Sequence, residues 1–134
     1  MKAFPLTIVT PDGLKFDGQA EELVVRTTTG DLGILAGHIN CVAPLGMGLA
    51  TAIIDGKKRY GACIGGMVCV LDGAVKIVPT SFEWADDIDL ARVEASYQRA
   101  QNALNKKDLP QAELHLAEAR LRRALVRKSV AEKK

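Results

Sequence analysis

Phe82-Glu83-Trp84-Ala85-Asp86-Asp87-Ile88-Asp89-Leu90-Ala91-Arg92 is the joint between two patterns of sequence. Before it, apolar residues come in short runs cut by Asp-Gly and Gly-Gly pairs. After it glycine is absent, and Ala, Leu, Glu and Arg recur at helical spacing. This change predicts β + α in series: a β-rich unit over 1–85 and a helical unit over 86–134. The joint itself is dense in charge, which marks it as a hinge and a candidate ligand site.

Working back from the joint, residues 3–9 read as a first strand turned by Pro11-Asp12-Gly13, and 14–16 as a short second strand closed by Asp17-Gly18. Val and Thr favour a strand over 22–27, followed by a loop over 28–33, Ile34-Leu35, and a tight spot at Gly37-His38. Strands over 40–45 and 49–54 flank Gly46-Met47-Gly48. Asp55-Gly56 is the strongest hairpin signal, since a type I′ turn needs positive φ at both central positions. Lys57-Lys58-Arg59 beyond it reads as a solvated strand start that discourages edge pairing. Residues 67–71 and 74–78 around Asp72-Gly73 form another hairpin. Eight to ten short strands at this spacing predict an antiparallel β-sandwich or barrel.

Forward of the joint, Leu90, Val93, Tyr97, Ala100 and Leu104 form one apolar stripe. Asp86 or Asp87 is the expected N-cap, with further acid in the first turn. Residues 105–108 break the helix, Asp108 is the expected second N-cap, and Pro110 falls in that helix's first turn. Leu114, Ala117, Leu121 and Ala124 repeat the stripe, so a short connection predicts an antiparallel two-helix hairpin. Ala91, Ala95, Ala117 and Ala124 would permit close approach, and 129–134 should fray.

Composition narrows function. Aromatic residues make up only 4% of the chain, too few for the usual base-stacking platform. Charge is uneven: residues 1–85 carry 7 Lys+Arg against 8 Asp+Glu, and 86–134 carry 11 against 8. The excess gathers in Arg120, Arg122, Arg123, Arg127, Lys128, Lys133 and Lys134, so an acidic partner belongs near the C-terminus. No apolar run is long enough for a membrane span, and no secretory signal is visible. Cys41, Cys63 and Cys69 lie in apolar runs without a Cys-x-x-Cys pair, so buried reduced thiols are expected rather than a zinc site with His38.

Catalytic signatures are lacking: there is no nucleophile elbow, Walker loop or His-Glu-x-x-His. Gly61-Ala62-Cys63-Ile64-Gly65-Gly66 has neither the helix nor the lysine of a phosphate loop, and His115 reads as a helix-flank residue. At the joint, Asp89, Arg92 and Arg99 fall near one helix face, and a folded-back second helix would bring Arg122 and Arg123 close. Spacing alone leaves two readings open: a surface pair of Asp89 with Arg92 worth a few tenths of a kcal/mol, or arginine forks gripping phosphate oxygens beside a carboxylate.

The motifs carry a resemblance. Thr29-Gly30-Asp31-Leu32-Gly33-Ile34-Leu35-Ala36-Gly37-His38 is similar to the Gly-acidic-x-Gly-Ile-x-x-x-His loop of the epsilon subunit family of bacterial F-type ATP synthases. Ile88-Asp89-Leu90-Ala91-Arg92 resembles that family's nucleotide motif, and the likeness runs the length of the chain. The resemblance implies a non-catalytic central-stalk subunit, peripheral on the cytoplasmic face of the bacterial plasma membrane. Its partners would be the gamma subunit, the c-subunit ring and the alpha/beta catalytic hexamer, with no nucleic acid bound and no direct membrane insertion. Asp31 and His38 would face the c-ring. The hairpin would be a mobile arm that permits ATP hydrolysis when folded down and inhibits it when extended, with Arg120, Arg122, Arg123, Arg127 and Lys128 reaching acidic beta-subunit surface. No cofactor is required; ATP would be a regulatory ligand held by Ile88, Asp89 and Arg92, with Glu83, Arg99 and Arg122 as helpers, its Mg²⁺ dependence not written in these residues. Val93 and Val126 depart from the nucleotide-binding pattern and predict weaker ATP binding, Val93 by crowding; Asn40 stands where proline is common. The competing reading is a stand-alone sandwich binding module whose basic C-terminal helix binds nucleic acid or an acidic protein.

Overall fold

The computed structural model describes residues 2–133. Ten strands come first: β1 Phe4–Thr10, β2 Gly13–Ala20, β3 Glu22–Thr27, β4 Gly30–Leu35, β5 Cys41–Pro44, β6 Met47–Ile54, β7 Lys57–Ile64, β8 Met67–Leu71, β9 Ala74–Val78 and β10 Ser81–Trp84. A 3₁₀ turn over Ala85–Asp87 then leads to α1 Leu90–Leu104 and α2 Gln111–Ala131. The chain divides between Trp84 and Ala85 into two compact units.

The first unit is a sandwich of two five-stranded sheets, β2-β1-β9-β8-β5 and β10-β7-β6-β3-β4. All pairings are antiparallel except β1 with β9, which run parallel. Alternation places Leu6, Ile8, Leu23, Val25, Ile34, Val68 and Ile77 at no more than 1% exposure between the sheets, the period-2 pattern of a two-sided core.

Two hairpins use one device. Thr10 and Thr27 are buried polar residues; each Oγ1 donates to the carbonyl of a glycine three residues on, Gly13 at 3.2 Å and Gly30 at 2.6 Å. Each Oγ1 also accepts an N–H two residues on, from Asp12 and Thr29. Residues 30–33, expected as loop, are therefore strand: the turn is only Thr28-Thr29, and Gly30 at φ 132 begins β4. The second strand is likewise longer than expected and runs through Asp17-Gly18 to Ala20. Asp55-Gly56 and Asp72-Gly73 have positive φ at both positions, as the hairpin reading required.

Residues 57–59 begin β7 with β6 on one side only, since β10 pairs no further than Gly61, and Lys57 and Lys58 are exposed as expected. Arg59 is the exception: its guanidinium sits 4.0 Å from the Trp84 ring centroid. Trp84 meets Phe82 edge-on at 4.9 Å and donates Nε1–H to the Lys15 carbonyl at 3.2 Å. That carbonyl is available because β1 and β2 slip register between Ile8 and Val9, leaving Lys15 as the extra residue of a bulge.

In the second unit Val93, Ala100, Ala117, Ala124, Val130 and Ala131 are buried. Ala91 and Ala95, expected in the seam, are exposed, and Ala100 fills that role. Residues 129–131 do not fray: α2 runs to Ala131. Lys134 lies outside the described residues. Among the described residues, no helix is long and apolar enough to cross a membrane.

Candidate functional site

The joint is built as a turn and a cap. Asp86 and Asp87 occupy the 3₁₀ turn, and the Ile88 N–H donates to the Ala85 carbonyl at 3.2 Å. Asp89, not Asp86 or Asp87, is the N-cap of α1: its φ/ψ are extended, and its Oδ1 accepts the Arg92 backbone N–H at 3.2 Å. No acid follows in the first helical turn. One carboxylate oxygen thus satisfies a helix-end donor, and the charge sits where the helix dipole favours it. The capping residue was missed because three aspartates in four residues are interchangeable by composition.

The second helix starts differently from expectation. Pro110 is its N-cap, without a side-chain cap bond, and Leu114 N–H donates to the Pro110 carbonyl. Asp108 instead takes a left-handed φ of 58 in the connection, a conformation Asp tolerates better than most side chains.

The register of the hairpin decides which cations share a level. Lys128 Nζ lies 3.2 Å from Glu94 Oε1 and 5.4 Å from the Tyr97 ring centroid. Glu94 raises the Lys128 pKa above its ordinary value, first through this hydrogen bond and then through its charge. Pairing 94 with 128 on antiparallel helices puts Arg99 level with Arg123 and Arg92 level with Val130. Arg122 therefore stands roughly 12 Å along the axis from Arg92, at about 1.5 Å per residue. Arg122 and Arg123 do not come near the joint; the last turn of α2 does.

The structure brings Asp89 and Arg92 together, and sets Arg99 on the same face two turns on, at roughly 10 Å. All three side chains are exposed, as is Arg122. Ile88 is buried at 2% exposure, and Glu83 lies on β10 in the sandwich unit. Val93 is buried at 6% and so is withdrawn from the exposed face it was expected to crowd. Val126 is half-buried. Of the late basic residues, Arg120, Arg122 and Arg123 are exposed, Arg127 is half-buried, and Lys128 is engaged with Glu94 and Tyr97.

On the sandwich, Asp31 faces outward from β4 and pairs across the ladder with Arg26, Nη1 to Oδ1 at 3.3 Å. His38 follows the strand, its Nδ1 within 2.8 Å of the Ile39 carbonyl, which can only accept, so Nδ1 is the donor. Asn40 has a role the sequence did not show: its Oδ1 accepts the Asp72 N–H at 2.8 Å, tying the loop to the β8–β9 turn. Burial pushes the Cys63 thiol up to about 12; Cys41 and Cys69 are half-buried rather than buried. Among the described residues, no cluster of three or more His, Cys, Asp or Glu side chains forms a metal site.

Residues 3–85 match the family described as ATP synthase, Delta/Epsilon chain, beta-sandwich domain, and residues 86–132 match ATP synthase, Delta/Epsilon chain, long alpha-helix domain. The chain is 41% identical to the ATP synthase epsilon chain of Ruminococcus albus over 135 aligned positions, covering 100% of both chains. It is 40% identical to that of Bacillus velezensis over 131 positions, covering 98% of each. A chain in the cryo-EM structure of the Euglena gracilis mitochondrial ATP synthase OSCP/F1/c-ring has the same fold at a TM-score of 0.81 and 24% identity, covering 95% of this chain and 80% of that one. A chain of the Tetrahymena thermophila mitochondrial ATP synthase central stalk and c-ring gives 0.60 at 17%, covering 95% of each. With both domains matched in order, and with full-length relatives above 30% identity, the chain belongs to the delta/epsilon chain family of ATP synthases, on its epsilon side.

Proposed function

We propose that this chain is the non-catalytic central-stalk subunit that joins gamma to the c-ring of a proton-translocating synthase, and that its helical unit is an ATP-sensitive arm regulating hydrolysis. The sandwich would sit on the rotor with Asp31 and His38 toward the ring, peripheral to the cytoplasmic face of the bacterial plasma membrane. In the extended state, Arg120, Arg122, Arg123, Arg127 and Lys128 would meet acidic surface on the alpha/beta hexamer, an attraction weakened by salt. No cofactor is required by this role. Full-length relatives named as ATP synthase epsilon chains support the assignment to the complex.

The observation that carries the sensor reading is the exposed row Asp89, Arg92 and Arg99 on one face of α1. Two guanidiniums about 10 Å apart suit a polyphosphate laid along the helix. Because Asp89 Oδ1 already caps the helix, Oδ2 is the oxygen placed to accept a base amino group. Arg122 helps from the level of Arg99 rather than from the joint, while Ile88 supports the turn from a buried position and Glu83 belongs to the sandwich side. Nucleotide tips the arm only through unequal affinity for its two states.

The test is calorimetric titration of the full chain with ATP, with and without Mg²⁺, alongside Asp89→Asn and Arg92→Ala. Saturable binding lost in Arg92→Ala supports the sensor, and no binding at millimolar ATP removes it. The arm is tested separately: truncation after Asp87 should raise hydrolysis by the assembled complex, and unchanged hydrolysis would contradict inhibition by the arm. Strong salt-dependent DNA binding by the free chain would instead favour the stand-alone module.

A further inference from the structure

The second half of α2, from Ala119 to Ala131, carries Arg120, Arg122, Arg123, Arg127 and Lys128 and no Asp or Glu. Over its whole length α1 holds one acid, Glu94. Like charges along one stretch of helix repel one another, and α1 offers them a single carboxylate. The hairpin register delivers that carboxylate to Lys128.

Glu94 does not act alone. Glu94, Tyr97 and Gln101 fall at i, i+3 and i+7, on one face of α1. Gln101 Nε2 donates to the Tyr97 hydroxyl at 3.4 Å, which steadies the ring. Lys128 Nζ then has two attractors at once, Glu94 Oε1 at 3.2 Å and the Tyr97 ring centroid at 5.4 Å. The second distance lies inside the ~6 Å range of a cation–π contact. A carboxylate and an aromatic face on one helix thus form a socket for one ammonium of the other.

The socket is a weak strut. The Lys128 and Glu94 side chains keep 36% and 43% of their exposure, and pairs this open to water add little to folding. Small differences do matter, however, to an equilibrium between two arrangements of similar free energy. Lys128 is turned toward α1, so meeting any other acidic surface requires it to leave Glu94 and Tyr97. Glu132 attracts Lys128 less strongly than Glu94 does. It also caps the same helix, so it travels with Lys128 and favours neither arrangement.

We infer that Glu94 and Tyr97 are a latch on the arm: they hold Lys128 in the closed hairpin and withhold it from the acidic partner surface. One ammonium cannot serve both carboxylates, so the strength of the latch subtracts from inhibition. This inference rests on the proposed inhibition by an extended arm, and names the residues that oppose it.

The experiment has two readouts: inhibition of ATP hydrolysis in the assembled complex, and amide hydrogen exchange of α1 and α2 in the full chain alone. It compares wild type, Glu94→Gln, Lys128→Gln, the double variant and the chain truncated after Asp87. Glu94→Gln keeps the size of the side chain and removes its charge. It should strengthen inhibition roughly two- to five-fold and quicken exchange near Lys128 by a similar factor. In the Lys128→Gln background the same change should have no effect, because the socket has lost its occupant. Tyr97→Leu should act in the same direction as Glu94→Gln and less strongly.

Wild-type inhibition in Glu94→Gln overturns the latch, even if exchange quickens, since the pair would then serve folding alone. Strengthened inhibition that persists in the double variant also overturns it, because Glu94 would be acting on cations other than Lys128. A truncated chain that inhibits as well as wild type removes the inhibitory arm and the latch together. A truncated chain that fails to inhibit, with Glu94→Gln at the wild-type level, removes the latch alone.

Discussion

The sandwich and the helical unit bury different kinds of side chain. Between the sheets lie Leu6, Ile8, Leu23, Ile34 and Ile77, each worth about 1.5–3 kcal/mol of burial and each held by residues distant in sequence. The buried helical positions are Val93, Ala100, Ala117, Ala124, Val130 and Ala131. An alanine methyl contributes about 0.8 kcal/mol. Of the larger stripe residues, Tyr97, Leu104, Leu114 and Leu121 are half-buried and Leu90 is 44% exposed. The helices also contribute a partly exposed ion pair, Lys128 with Glu94. One unit is therefore a scaffold. The other is closed by a seam of small buried residues flanked by half-buried larger ones, and less apolar surface per residue predicts weaker protection than in the sandwich.

The largest break in this comparison should come from the core. Leu6→Ala should lower sandwich stability by about 2–5 kcal/mol in denaturant titrations, whereas Leu116→Ala should move it by less than ~0.5 kcal/mol. Equal effects would erase the distinction. Alkali should act on the same unit. Because the folded Cys63 thiol is raised from 9.0 to about 12, it favours folding fully below pH 9, and that advantage declines as pH rises from 9 toward 12. Its alkylation in the native chain at pH 8 should lag behind that of Cys41 and Cys69.

Overpacking the seam by Ala124→Leu should cost the hairpin ~1–3 kcal/mol and melt it ahead of an unchanged sandwich. Smaller still is the cap: Asp89→Ala should cost helix stability ~1 kcal/mol by circular dichroism, while Asp89→Asn preserves the cap and isolates the charge. Lys128→Ala should give the smallest change. Since Glu94 raises the Lys128 pKa, the pair supports folding at neutral pH and fades only as pH climbs past 10.5.

Much of the fold could be read from the chain because its signals are local. The Asp-Gly pairs at 55–56 and 72–73 demand positive φ, and the disappearance of glycine after Gly73 announces helices. Where the reading failed, the deciding contact was distant or one of several equal candidates. Thr27 and Gly30 formed the same turn as Thr10 and Gly13, but three threonines in a row hid the strand that follows. Arg59 over Trp84, and Lys15 offering its carbonyl across the bulge, depend on strand order that no local pattern carries. The placement of Asp89, Arg92 and Arg99 along one face at the start of α1 was legible from helical spacing. The level of Arg122 was not, because it depends on the register in which the two helices pack, which the Lys128–Glu94 pair reports.

The central claim is that a stable sandwich carries a separately opening, nucleotide-responsive arm. Amide hydrogen exchange of the full chain, with and without ATP, tests it most directly. The account predicts weaker protection in α1 and α2 than in β1, β6 and β9. ATP should slow exchange in α1 in the wild type but not in Arg92→Ala. Uniform protection across both units, indifferent to ATP, would contradict it.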